Sequence, residues 1–179
     1  MAESLKGKHI AALVTDGFEQ VELTGPKEAL EKNGATVHIV SAKNGEVTGW
    51  NHTTPATKFH VDKTFDTVHM EDYDAVLLPG GVVNSDTIRT DDMAQELVRD
   101  AARANKTIAV ICHGAWLLAS ADLVKGKRMT SWPSLTDDLK NAGADWVDEQ
   151  VVVDGHLISS RKPDDIPAFS EALIKALTA

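Results

Sequence analysis

Apolar runs of strand length alternate along this chain with longer stretches whose apolar residues recur at helical spacing. That alternation predicts an α/β fold built on a mainly parallel sheet. Residues 9–14 form the first run and end in a Thr15-Asp16-Gly17 turn. Residues 18–33 then read as helical. A break is expected at Thr24-Gly25-Pro26, because proline disfavours helix in the residue before it. Gly34 suits the helix C-terminus. Residues 37–40 are a second strand, and Asn44-Gly45 reads as a hairpin turn. Residues 50–60 have no helical period and are predicted to be irregular surface. A third buried strand, 75–78, stops at Pro79-Gly80-Gly81, and Asp91 or Asp92 caps a helix over 93–104. The β-branched run 107–111 passes directly into Cys112-His113-Gly114 and a helix through Ala121. A short strand at 128–131, a short helix at 135–142 and a hairpin over 151–158 about Asp154-Gly155 follow. The last helix aligns Ile166, Phe169, Leu173 and Leu177, with Asp164 and Asp165 as its capping candidates. No repeat, linker or low-complexity stretch interrupts the pattern, so one domain over 1–179 is expected.

Composition narrows the class of function. With 42% apolar and 25% charged residues in 179, the chain has the balance of an ordinary globular domain and can fold without disulfides or a structural metal. A single cysteine rules out an intrachain disulfide and fits a reducing cytosol. The opening segment 1–8 has no apolar targeting run, and no stretch approaches the roughly 20 apolar residues of a membrane span. A soluble, cytoplasmic protein with no membrane partner is expected. The net charge of −9, without a basic block, argues against nucleic acid as a partner.

The most informative position is Cys112. A residue that leaves a buried strand and enters a helix within one step sits on a sharp turn, a nucleophile elbow, that aims its side chain out of the sheet. Unpaired N–H groups at a helix start favour thiolate, so a reactive, low-pKa thiol is expected. In open α/β sheets, sites form at the carboxyl ends of strands, which brings Pro79-Gly80-Gly81 to the same edge. The amides of Gly81 and His113 are then the natural oxyanion donors. The competing reading is that Cys112 is a small buried core residue.

Two groups are candidate proton partners. Glu19 lies just past the first strand at the same sheet edge, where a carboxyl beside a thiolate would stay protonated and shuttle a proton. Its bland alternative is an acidic residue welcomed by a helix start. His113 is the second candidate, although adjacent residues on a regular helix do not face each other, so its pairing needs a distorted backbone at Cys112. His9, His38, His52, His60, His69 and His156 lack metal-ligand spacing and read as surface or packing residues, so no metal is expected. The first strand is not followed by Gly-x-Gly-x-x-Gly, so neither nicotinamide nor flavin is implied, and no cofactor is expected. Trp50, Trp116, Trp132 and Trp146 are candidates to wall a pocket or an oligomer interface, with packing inside the domain as the default for each; Trp116, one turn beyond Cys112, is the one placed to matter.

With these residues in place, the chain resembles the PfpI family of intracellular proteases and stress proteins. That family belongs to the class I glutamine-amidotransferase-like superfamily, which includes the Parkinson-disease-associated deglycase. The likeness runs nearly end to end. It is carried by Asp16-Gly-Phe-Glu-Gln-Val-Glu22, Thr64-Phe-Asp66, Tyr73-Asp-Ala-Val-Leu-Leu-Pro-Gly-Gly81, Ile108-Ala-Val-Ile-Cys-His-Gly114, Thr130-Ser-Trp-Pro133, Asp137-Asp138, Asn141-Ala-Gly143, Trp146-Val-Asp148 and Val151-Val-Val-Asp-Gly155. The resemblance implies a flavodoxin-like three-layer sandwich, Cys112 as nucleophile, Glu19 as its buried carboxyl partner, the Gly81 and His113 amides as oxyanion hole, and a homodimer or higher homo-oligomer. The surfaces expected to meet are residues 50–54 and the loop after Gly81. Two departures stand out. Protease-like members complete a Cys-His-acid triad with a carboxylate shortly after Gly-Gly, across a subunit interface. Here Ser85 falls at that place, with Asp86 one residue later as the candidate acid. Ala115 replaces the usual proline after Cys-His-Gly, a milder change. The resemblance therefore implies a stress-related hydrolase acting on small reactive aldehydes or glycated amino groups, in the manner of a glyoxalase or deglycase. Two alternatives stay open: a peptidase using Cys112, His113 and an acid on peptides, and a redox sensor working through oxidation of Cys112.

Overall fold

The computed structural model describes residues 4–179; residues 1–3, part of the opening segment read above, lie outside it. Its strands are β1 (His9–Leu13), β2 (Phe18–Glu19), β3 (Thr36–Ser41), β4 (Glu46–Asn51), β5 (Thr54–His60), β6 (Lys63–Thr64), β7 (Ala75–Leu78), β8 (Thr107–Ile111), β9 (Arg128–Met129), β10 (Asp145–Trp146), β11 (Val151–Asp154) and β12 (Leu157–Ser160). Its helices are α1 (Gln20–Lys32), α2 (Val82–Ile88), α3 (Asp92–Arg103), α4 (Ala115–Ser120), α5 (Thr136–Asn141) and α6 (Ile166–Thr178). The main sheet has the order β11-β12-β8-β7-β1-β3-β6, parallel throughout except for the β11–β12 hairpin at one edge.

Helices cover both faces, which is why the central strands read as unbroken apolar runs rather than alternating ones. Ala11, Leu13, Val76, Leu78 and Val110 point to one face, beneath Leu97 and Val98 of α3, Leu117 and Leu118 of α4 and Leu139 of α5. Ile10, Ala12, Leu77, Ala109 and Ile111 point to the other, beneath Leu23 and Leu30 of α1 and Phe169, Leu173 and Leu177 of α6. This is the expected three-layer α/β sandwich. Asp91 is the cap of α3, its carboxylate accepting the N–H groups of Met93 at 2.9 Å and Ala94 at 3.0 Å. Asp165 precedes α6 but makes no side-chain capping bond; it holds the Arg161 guanidinium instead.

Four local expectations are corrected. α1 runs through Gly25-Pro26 without a break, because its packing along α6 and β3 outweighs one lost backbone bond. Asn44-Gly45 does not close a hairpin: β3 and β4 belong to different sheets, and β4 pairs antiparallel with β5. Residues 50–60 are accordingly not irregular but contain the end of β4 and all of β5. Nearly every β5 side chain is exposed, so no alternation marks the strand in the sequence. The helix α2, directly after Gly81, has too few apolar anchors to carry a helical period.

Among the described residues, no helix is long and apolar enough to cross a membrane.

Candidate active site

The sheet brings the ends of β1, β7 and β8 to one edge, and the segments that follow them build a cleft of about 170 Å³ around Cys112. Cys112 follows β8 directly and adopts φ +64°, a left-handed backbone that few side-chain-bearing residues take. The expected elbow is therefore present, followed by one 3₁₀ turn and then α4. The bend turns the His113 ring back onto the sulfur, with Nδ1 3.3 Å from Sγ, a contact a regular helix would forbid. The backbone N–H groups of Gly81 and His113 both donate toward Sγ.

The strand-to-helix segment after β1 supplies the carboxyls, in a different register from the one expected. Phe18 and Glu19 do not open the helix; they pair as β2 with Gly49 and Trp50, so α1 begins at Gln20. The residue that reaches the thiol is Glu22, on the first turn of α1 and fully buried. Its Oε1 accepts the Gly80 N–H at 2.9 Å. Its Oε2 is buried and meets no partner at full hydrogen-bond geometry. The carboxyl there interacts with the Cys112 thiol, more weakly than a full bond but felt by both groups. Glu19, the expected partner, instead accepts the backbone N–H of His52 at 3.1 and 3.3 Å, and its own N–H donates to the Gly80 carbonyl. Glu19 thus lines the cleft and ties the β4–β5 turn to it, while the thiol's carboxyl neighbour is Glu22.

Burial governs the protonation of this pair. It pushes Glu22 up to about 8, with the Glu19 charge adding to the rise and the Gly80 N–H opposing it. Burial also pushes the Cys112 thiol up, joined by any charge on Glu22 and opposed by the His113 and Gly81 amides. The expected lowering at a helix start is offset because Cys112 is only 6% exposed and α4 is short. The two groups ionise as a unit. At neutral pH both groups therefore rest largely protonated, and ionising the thiol requires a base beside it, with two amides pointing at the sulfur to receive the charge. Burial lowers the His113 pKa, leaving the imidazole neutral.

Asn84, 1% exposed on α2, pins the donor loop. Its Oδ1 accepts the Thr15 N–H at 2.8 Å and its Nδ2 donates to the Gly80 carbonyl at 3.0 Å. Ser85 is buried, with its Oγ unpartnered among the described residues. Asp86 is exposed on α2, outside the cleft lining, and no hydrogen bond joins it to His113 among the described residues. Within one chain, then, the candidate acid does not meet the imidazole. What does meet it is aromatic: Trp132 stacks on the ring at 5.7 Å and 24°, and Trp116 meets it edge-on at 5.4 Å and 71°. His52, at a left-handed turn with φ +56°, also lines the cleft. Glu22 and His52 are the site residues that the sequence does not single out, whereas Trp132, a candidate pocket wall, does line the cleft; Glu22 stands inside a motif quoted above, one turn on from Glu19. No group of three or more His, Cys, Asp or Glu side chains placed to hold a metal occurs among the described residues.

The sequence profile of the DJ-1/PfpI family matches residues 8–176. Deglycase PfpI of Pyrococcus furiosus is 39% identical over 168 residues, spanning 94% of this chain and 98% of that protein. General stress protein 18 of Bacillus subtilis is 38% identical over 173 residues, spanning 96% and 98%. Among solved structures, Drosophila melanogaster DJ-1beta superposes with a TM-score of 0.87 at 27% identity, over 96% of this chain and 90% of that one.

Proposed function

Because the chain belongs to the DJ-1/PfpI family, we propose that it is a cysteine-dependent hydrolase of small reactive carbonyls, or of the adducts they form with amino groups, with Cys112 as the nucleophile. The observation that carries this reading is a single sulfur at the base of a cleft of about 170 Å³, with two backbone amides converging on it. Sites for drug-sized ligands run to roughly 300–1,000 Å³. A cleft this small suits a carbonyl of a few heavy atoms better than a peptide.

In this reading the Cys112 sulfur adds to the aldehyde carbon and an S–C bond forms. The carbonyl π pair moves to oxygen, where the Gly81 and His113 N–H groups receive it. His113 takes the thiol proton through Nδ1, and Glu22 protonates the oxyanion to give a hemithioacetal. For a 2-oxoaldehyde, transfer of the C1 hydrogen to C2 converts this adduct into a 2-hydroxyacyl thioester. Water then cleaves the thioester and restores the thiol. For a hemiaminal adduct on an amino group, the sulfur takes the place of nitrogen: the S–C bond forms as the C–N bond breaks, the nitrogen leaves with the proton that His113 took from the thiol, and the same hemithioacetal results. None of these steps needs the carboxylate that a Cys-His peptidase uses to orient its imidazole. The lone cysteine supports a reducing, cytoplasmic setting for this chemistry.

Purified protein is expected to consume methylglyoxal and to release lactate. Cys112→Ala should abolish that turnover, while Asp86→Asn leaves it within about twofold. Efficient casein hydrolysis lost in both variants would overturn the reading in favour of a peptidase with Asp86 as its acid. A thiol that peroxide oxidises readily, in a protein with no carbonyl turnover, would overturn it in favour of a redox sensor.

A homo-oligomer is part of the same proposal. Val82 and Val83, 54% and 44% exposed just after Gly81, put apolar surface where the sequence reading expects a contact. Sedimentation at micromolar concentration should show at least a dimer; a lone 19.3 kDa species would contradict it.

A further inference from the structure

We propose that Arg161 is a specificity-determining residue: it ties together the two sides of the cleft that carry Pro163 and Trp132, and so sets how large a carbonyl compound reaches Cys112. The proposal deepens the reading of Cys112 as a nucleophile for small carbonyls and rests on it. It stands on hydrogen bonds that the chain makes within itself. Register brings the first side to the elbow. β12 runs parallel to β8 with Ser160 opposite Ile111, so the segment that leaves β12 emerges beside Cys112. Arg161 and Asp165 close that segment into a small ring. Asp165 Oδ2 accepts the Arg161 backbone N–H at 3.0 Å and its Nε–H at 2.9 Å, while Oδ1 accepts from Nη2 at 3.0 Å. A guanidinium fork on a carboxylate fixes direction as well as distance, and Asp165 is buried, where water competes little for these bonds. Inside the ring stands Pro163, which lines the cleft and whose fixed φ gives it little freedom to yield.

The same guanidinium reaches the second side. Its Nη1 donates to Asp148 Oδ1 at 2.8 Å, in the segment just past β10. That segment is fastened to the Trp132 side by two bonds. The Val147 N–H donates to the Met129 carbonyl at 2.9 Å, and Trp146 Nε1–H donates to Ser131 Oγ at 3.0 Å. The Ser131 hydroxyl donates in turn to the Trp132 carbonyl at 2.9 Å, and the Trp132 N–H donates to the Cys112 carbonyl at 3.2 Å. The circuit thus starts beside the elbow at Arg161 and returns to it at Cys112. Parting Pro163 from Trp132 strains or breaks bonds within it, so the wall on this side of the cleft of about 170 Å³ is held at a set width. Width is what a substrate with a bulky group on the carbonyl has to overcome, and a misfit of methylene size typically costs about 10-fold or more in kcat/KM.

Asp148 is the discriminating position, because it is exposed and its loss opens the circuit while leaving the Arg161–Asp165 ring intact. Asp148→Ala in the full-length protein is expected to raise kcat/KM for phenylglyoxal relative to methylglyoxal by about 5-fold, mainly through a lower KM for phenylglyoxal. Arg161→Lys, which keeps the charge but loses the fork, should shift the ratio further in the same direction. Asp148→Asn keeps an acceptor for Nη1 and should retain most of the wild-type ratio. Alkylation gives a readout that needs no turnover, since Cys112 is the single cysteine. The rate with N-phenylmaleimide should rise relative to the rate with iodoacetamide by a similar factor in Asp148→Ala, whereas general loosening of the fold would speed both reagents alike. Unchanged ratios in folded Asp148→Ala would overturn the proposal, as would an equal rise with both reagents or an Asn variant as altered as the Ala variant. If Arg161→Lys does not fold, the two Asp148 variants decide. If the wild type turns over neither aldehyde, the function reading fails, while the alkylation ratio still decides on Arg161.

Discussion

Glu22→Gln is expected to stabilise the protein by about 4 kcal/mol at pH 8 and by just under about 1 kcal/mol at pH 5. The Glu22 pKa is raised from 4.5 to about 8, chiefly by burial. Below 4.5 the carboxyl is protonated whether the chain is folded or not, and burial of its neutral form adds no pH-dependent cost. Between 4.5 and 8 the unfolded chain releases a proton that the folded chain retains, and stability falls by about 1.4 kcal/mol per pH unit. Above 8 the loss is complete and constant. Glutamine is neutral at every pH and can keep the acceptor that Oε1 offers to the Gly80 N–H, so it does not carry this penalty. Denaturant midpoints of both proteins at pH 5 and pH 8 decide the matter. An equal gain at both pH values would assign the effect to packing rather than ionisation. Methylglyoxal turnover should fall in the same variant, since an amide cannot pass on the proton, and the protein would then gain stability at the expense of its chemistry.

Gly81→Ala should act in the opposite direction and damage both stability and turnover. Gly81 has φ +91°, and a Cβ there would lie 2.4 Å from the Gly17 carbonyl oxygen and 2.5 Å from the Glu19 nitrogen, both backbone atoms with no rotamer to escape into. Backbone strain and overpacking together should cost about 3–5 kcal/mol, which for a chain of this length lowers Tm by about 10 °C. The loop must shift to admit the methyl group, carrying its N–H away from the sulfur, and loss of one such donor typically costs 10²–10³ in kcat. Gly80→Ala is the control. Its Cβ would meet Glu22 Oε1 at 2.6 Å, Cys112 Cβ at 2.8 Å and the His113 backbone nitrogen at 3.0 Å, of which only the carboxyl can give way, but its backbone carries no left-handed φ. It should therefore be milder in stability. Wild-type turnover in Gly81→Ala would remove the Gly81 amide from the oxyanion site.

The parts of this fold that were legible in the sequence are those buried on both faces. β1, β7 and β8 are continuous apolar runs because helices cover them on each side, and Cys112 stood out because no turn residue separates β8 from the helix after it. What escaped notice has little burial or little length. β2 is two residues long, too short for any period, yet it delays the start of α1 and makes Glu22 rather than Glu19 the carboxyl beside the thiol. β5 is a solvent-facing strand with no alternation, so the turn that carries His52 into the cleft was read as shapeless surface. The approach of Trp132 to His113 joins segments nineteen residues apart through a hydrogen bond from the Trp132 N–H to the Cys112 carbonyl, a contact that no local pattern encodes.

The convergence of distant segments on one sulfur has a consequence for the chain before it is folded. The carboxyl comes from α1, one amide from the loop after β7 and the other from the turn after β8, so no fragment of the polypeptide holds all three. A nascent or misfolded chain therefore carries an ordinary, indiscriminate cysteine, and selectivity is acquired only when the parallel strands lock into register. The reactivity of this one atom therefore reports whether the strands have assembled.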